Sequence, residues 1–151
     1  LSALVGLRCM EYGKYLVLFA VLLAFVTDAG AYFAGVFLGK HRGITQVSPN
    51  KSVEGYIGGF AAGVAFALIY GLVITEMARM PASLLSLGLC GLFGALATEV
   101  GDLAFSFVKR QYGVKDYGNL LPGHGGMLDR FDSMLFCAPV VLFIVRFLPV
   151  F

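Results

Sequence analysis

Four long apolar runs separated by short polar stretches dominate the chain, at residues 14–38, 53–75, 82–105 and 133–150. Each reaches or approaches the length of about 20 apolar residues that a helix needs to cross a hydrocarbon layer about 30 Å thick. The pattern predicts an all-α fold, a polytopic transmembrane helix bundle of about four spans, with residues 1–151 forming a single membrane domain. Ser48 as a helix N-cap, followed by Pro49 at a first helical position, predicts that the second span starts ahead of its apolar run.

Composition fixes the class. Hydrophobic residues make up 59% of the chain, charged residues 13%, and mean hydropathy is +0.86. Soluble domains have about 45–50% apolar and about 25% charged residues. The expectation is an integral membrane protein. A net charge of +2 is too small to argue for nucleic acid as a partner.

The placement of that charge says more than its size. Lys40, Arg42 and Lys51 lie between the first two spans, and Lys109, Arg110, Lys115 and Arg130 between the last two. Alternating topology puts both groups on one side, which the positive-inside rule assigns to the cytoplasm. Both chain ends then face the opposite side. The start, Leu1-Ser2-Ala3, lacks a Met, and the chain is expected to be the C-terminal half of a longer protein.

Cys9, Cys90 and Cys137 have no metal-binding spacing and are expected to be small buried hydrophobes. Many of the 20 glycines fall inside the spans. Small residues allow close helix approach, so Gly59-x-x-x-Gly63 is a packing signal, either inside one polypeptide or at a homodimer face.

Acids at membrane depth need a partner or water. Asp28 lies within the first span; Glu99 and Asp102 stand three residues apart on one face of the third, and Ser106 continues that face. Beyond it, residues 106–132 hold four of the eleven basic residues and three of the nine acids. Cations and glycine-exposed amides suit phosphates. Carboxylates among such groups suit Mg²⁺, which is usually held by one or two carboxylates with phosphate oxygens and waters.

The order of residues in this segment is specific. Ser106, Lys109, Arg110, Lys115, Asp116, Gly118, Pro122, His124, Gly125, Gly126, Asp129, Arg130 and Asp132 stand in register with the signature of the phosphatidate cytidylyltransferases, also called CDP-diacylglycerol synthases, and the chain resembles that family. Asp28 to Gly35 and Ser48 to Gly59 are similar to two further blocks, with Lys51-Ser52 standing where the family has Lys-Thr. Family members are longer and have more spans.

The resemblance implies a nucleotidyl transfer in phospholipid synthesis: CTP and phosphatidate give CDP-diacylglycerol and pyrophosphate, with Mg²⁺ and a second cation as the cofactors to consider. It implies an enzyme of the bacterial plasma membrane whose active-site loops are cytoplasmic and whose lipid substrate comes from the bilayer. Asp102 and Asp129 are the expected metal ligands, with Asp132 and Glu99 second. Lys109, Arg110, Lys115 and Arg130 are expected to hold phosphates, Gly125 and Gly126 to offer amides to the nucleotide, and His124 to stand near the leaving pyrophosphate or to orient a carboxylate. Asp28, Lys51, Glu54, Ser106 and Asp116 are weaker candidates, and no residue stands out for cytosine. An ion transporter would leave the Lys-Arg and His-Gly-Gly segment idle. A CTP-dependent polyprenol kinase shares the nucleotide but transfers a different phosphate.

Overall fold

The computed structural model describes residues 2–39, 52–79, 82–113, 128–148 and 150, with the side chains of residues 78 and 128–132 outside that description. Five helices follow one another: α1 (Ser2–Arg8), α2 (Gly13–Leu38), α3 (Val53–Ala78), α4 (Leu84–Gln111) and α5 (Leu128–Phe147). Three of them, α2, α3 and α4, are long and apolar enough to cross a membrane. The apolar part of α5, Ser133–Phe147, is shorter, and at 1.5 Å per residue its 15 residues rise about 22 Å. Among the described residues, the fourth expected span is therefore an apolar helix shorter than membrane length. Pro139 lies inside it and removes a backbone donor, which neighbouring helices make tolerable in a membrane.

Local chemistry sets the helix ends. Tyr12 and Arg79 both take left-handed backbone conformations, at φ 58° and 51°, which breaks α1 from α2 and stops α3. The short α1 was not foreseen in the sequence. Ser52 and not Ser48 caps α3: its extended backbone lets the hydroxyl accept from the Gly55 amide at 3.1 Å, and the helix starts with the apolar run. Ser83 does the same for α4, accepting from the Ser86 amide.

Helices α2 to α5 run alternately up and down. The central pair, α2 and α4, touch each other, and α3 and α5 each pack on both of them. Buried Leu16, Phe19, Ala20 and Leu23 of α2 meet Ala67 and Tyr70 of α3, Leu87 and Cys90 of α4, and Cys137 and Val141 of α5. Phe19 stacks on Phe66 and tilts against Tyr70, whose hydroxyl donates to the Tyr15 carbonyl at 2.8 Å. Cys90 and Cys137 are buried as expected; Cys9 is exposed, because it follows the last turn of α1 at the rim.

Close approach defines the other end of the bundle. Gly30 meets Ala62 and the Gly58 carbonyl, and Gly55 lies against Ala31 and Gly35, while nearer the middle Gly91 lies against Ala67 and the Gly63 carbonyl. Gly59 and Gly63 both face inward, against α2 and α4, so the Gly-x-x-x-Gly signal is used within the chain. Lipid offers no hydrophobic drive between helices, so van der Waals contact through small residues holds this part together.

Candidate functional site

The third span is longer than its apolar run. Helix α4 continues to Gln111, carrying Asp102, Ser106, Lys109 and Arg110 on a rigid rod. The outer residues of the charged segment are thus helical at both ends, with Asp129, Arg130 and Asp132 in the first turns of α5. At 100° per residue, Glu99, Asp102, Ser106 and Lys109 fall within an arc of about 80°. Exposure rises along that face: Glu99 is 8% exposed, Asp102, Ser106 and Lys109 are half-buried, and neighbouring Arg110 is exposed. Lys109 and Arg110 occupy the last turn, where cations also meet the negative end of the helix dipole.

Three helices meet around Glu99. A Cβ placed on Gly59 of α3 would stand 2.6 Å from Glu99 Oε1, 2.8 Å from Ala31 Cβ and 2.9 Å from the Thr27 carbonyl oxygen. One turn further along α3, a Cβ on Gly63 would stand 2.6 Å from Thr27 Oγ1 and 2.7 Å from Ala95 Cβ. Two glycines of α3 are therefore sockets for polar side chains, one reaching from α4 and the other from α2. Thr27 is fully buried, and its Oγ1 has no hydrogen-bond partner among the described residues.

Asp28, half-buried, follows Thr27 on α2. It lies within electrostatic reach of Cys137 on α5, whose thiol also interacts with the Thr98 side chain. The Thr98 hydroxyl donates to the Gly94 carbonyl at 2.9 Å, and the Cys137 sulfur approaches the Ala20 carbonyl at 3.8 Å. Glu54 is half-buried in the first turn of α3, beside the Ser52 cap that lies against Gly35. Asp28, Glu54, Glu99, Asp102 and Lys109 all make interactions with other groups.

Antiparallel register levels the rest. Gly101 lies against Phe136, and Phe105 meets the Phe136 ring edge-on at 6.2 Å. Following α5 toward its start from that point brings the backbone of Asp132 and Asp129 alongside the Asp102-to-Lys109 part of α4. The side chains of Asp129, Arg130 and Asp132 lie outside the described residues, as do Lys51, Lys115, Asp116, His124, Gly125 and Gly126. Among the described residues no three metal-ligating side chains converge. Their available donors near the charged end are carboxylate oxygens, hard ligands that suit Mg²⁺, while the three thiols are free.

Thr27 and Thr98 were not among the sequence candidates, although each hydroxyl directly precedes an acid, Asp28 or Glu99.

A bundle of membrane-length helices, with acids running along one helix face from the buried middle to a basic end, defines an integral membrane protein with a polar site inside its helical framework. More particularly, the chain belongs to the cytidylyltransferase family, whose model matches residues 2–148. It is 44% identical over 135 residues to a phosphatidate cytidylyltransferase of Bacillus subtilis, covering 89% of this chain and 49% of that protein. A phosphatidate cytidylyltransferase of Staphylococcus saprophyticus is 41% identical over 129 residues, with 85% and 48% covered. The chain thus spans about half the length of the curated relatives it matches. Its fold is similar to the solved structure of an intramembrane enzyme for archaeal membrane lipids biosynthesis, with a TM-score of 0.61 and 27% identity over 83% of this chain and 75% of that one.

Proposed function

We propose that this chain carries the catalytic part of a phosphatidate cytidylyltransferase, which joins the cytidylyl group of CTP to phosphatidate and releases pyrophosphate. One observation carries the reading beyond family membership. Asp102, Ser106 and Lys109 line up on one face of α4, leading from inside the bundle to its basic end. Such a path lets a lipid phosphate at the membrane surface meet a nucleotide arriving from water.

In this reaction a phosphatidate phosphate oxygen attacks the α-phosphorus of CTP, and the bond to the bridging oxygen of the departing pyrophosphate breaks. The acceptor is already anionic, so no general base is required. The protein's task is positioning and charge neutralisation. Lys109 and Arg110 bind phosphates at the end of α4, joined by Lys115 and Arg130, with His124 beside the leaving group and Gly125 and Gly126 offering amides. Asp102 and Asp129 would hold Mg²⁺, which, when bound, offsets the negative charge of the phosphates. Asp28 and Glu54 form the polar wall on α2 and α3.

The excess of Lys and Arg at this end of the bundle supports a cytoplasmic orientation. The bacterial relatives support a plasma-membrane location. Membranes containing this chain, in a host depleted of its own synthase, should convert labelled CTP, phosphatidate and Mg²⁺ into a lipid-soluble cytidine product. Label recovered as a phosphorylated lipid alcohol, or no transfer at all, would sink the proposal.

A further inference from the structure

We propose that Glu99 is a positioning residue, which sets the rotation of α4 by seating its carboxylate in the notch left by Gly59 and so aims Asp102 at the metal. The inference rests on the metal role given to Asp102 above. It departs from the sequence expectation that Glu99 is itself a second-choice ligand.

The argument starts from where the carboxylate sits. Glu99 Oε1 lies 2.6 Å from the place a Gly59 Cβ would occupy, and that place is also bounded by Ala31 Cβ and the Thr27 carbonyl. The group therefore points into the seam between α2 and α3. Glu99 is 8% exposed, whereas Asp102 is half-buried, so the two differ in access although both lie on one face of α4. A ligand shared with soluble nucleotide phosphates needs the access of Asp102. A carboxylate enclosed by two other helices has the placement of a peg.

Its leverage follows from helix geometry. Asp102 is three residues beyond Glu99, about 4.5 Å along the axis and about 60° around it. The α3–α4 contacts nearest to it are between glycine and alanine, Gly63 with Ala95 and Gly91 with Ala67, and the next large side chain seated in a glycine notch of α3 is Leu87 against Gly71, about three turns from Glu99. Smooth surfaces permit rotation; an inserted side chain does not. Groups that orient a ligand from behind typically change metal affinity or activity by about 10–100-fold when removed.

The test measures metal binding directly, with Mn²⁺ standing in for Mg²⁺ and its EPR signal followed on the full chain in lipid nanodiscs. Glu99→Ala should weaken Mn²⁺ binding about 10–100-fold. Glu99→Gln, which fills the notch with nearly the same shape and removes the charge, should stay within about threefold of the parent on the same scale. Should the alanine variant not fold, Glu99→Ser replaces it: its hydroxyl can turn back to the Ala95 carbonyl, as that of Thr98 does to Gly94, while vacating the notch. Equal losses in the Gln variant and the truncated one would overturn positioning in favour of direct charge or ligation. No loss in either would remove Glu99 from the site altogether. A parent chain that binds no Mn²⁺ would overturn both this inference and the metal reading beneath it, whereas normal parent binding with unaffected variants would overturn this inference alone.

Discussion

Glu99 and Gly59 share one space: the carboxylate oxygen of the first lies 2.6 Å from where the second would carry a Cβ. Gly59→Ala therefore drives a methyl into Glu99, Ala31 and the Thr27 carbonyl together, two of them rigid parts of α2. Overpacking of this kind costs about 1–3 kcal/mol. A thermal melt in detergent should show a lowered Tm, and the loss should be smaller in a Glu99→Ala background because the two positions are in contact.

Asp102 stands on the same face of α4 but half-open. Asp102→Asn keeps the shape and removes the charge. Cytidylyl transfer should fall by about 10²–10³-fold, the scale seen when one preorganised electrostatic contact is lost, with the melt of the purified protein unchanged. Unaltered turnover would take Asp102 out of the metal site.

Lys109, two turns further on, lies in the last turn of α4. If Lys109 binds phosphate as proposed, Lys109→Ala removes a charge-assisted hydrogen bond worth about 1.5–3 kcal/mol. The half-saturating CTP concentration should rise about 10–100-fold, by the conversion of about 1.4 kcal/mol per tenfold. Steady-state rates over a CTP series at fixed phosphatidate would measure it.

Ser52 accepts from the Gly55 amide and is nearly buried against Gly35. Ser52→Ala should cost about 1 kcal/mol and Ser52→Gly only a few tenths, because glycine exposes the helix end to other donors and acceptors. The order of the two Tm values is the measurement. If both variants melt like the parent, Ser52 is not the working cap.

The charged segment was legible in the sequence because its spacing is local. Ser106, Lys109 and Arg110, and then Asp129, Arg130 and Asp132, fall in a fixed order that needs no fold to be noticed. Helix ends were less legible. Apolar runs mark where lipid begins and ends, but α4 outlasts its run to Gln111, since polar residues continue a helix without cost once it leaves the hydrocarbon.

Hydropathy and residue order alone determined that this chain is a helical membrane protein, which runs carry the spans, and which end collects the charge, because transfer free energy and charge placement are additive along a chain. Tertiary structure decided what Glu99 and Thr27 do. Both look in sequence like polar residues stranded in apolar helices, and only the packing of α2, α3 and α4 reveals Gly59 and Gly63 as the sockets that receive them. A missing Cβ has meaning only when a neighbour fills its place, and neighbours 36 or 40 residues away are a property of the fold.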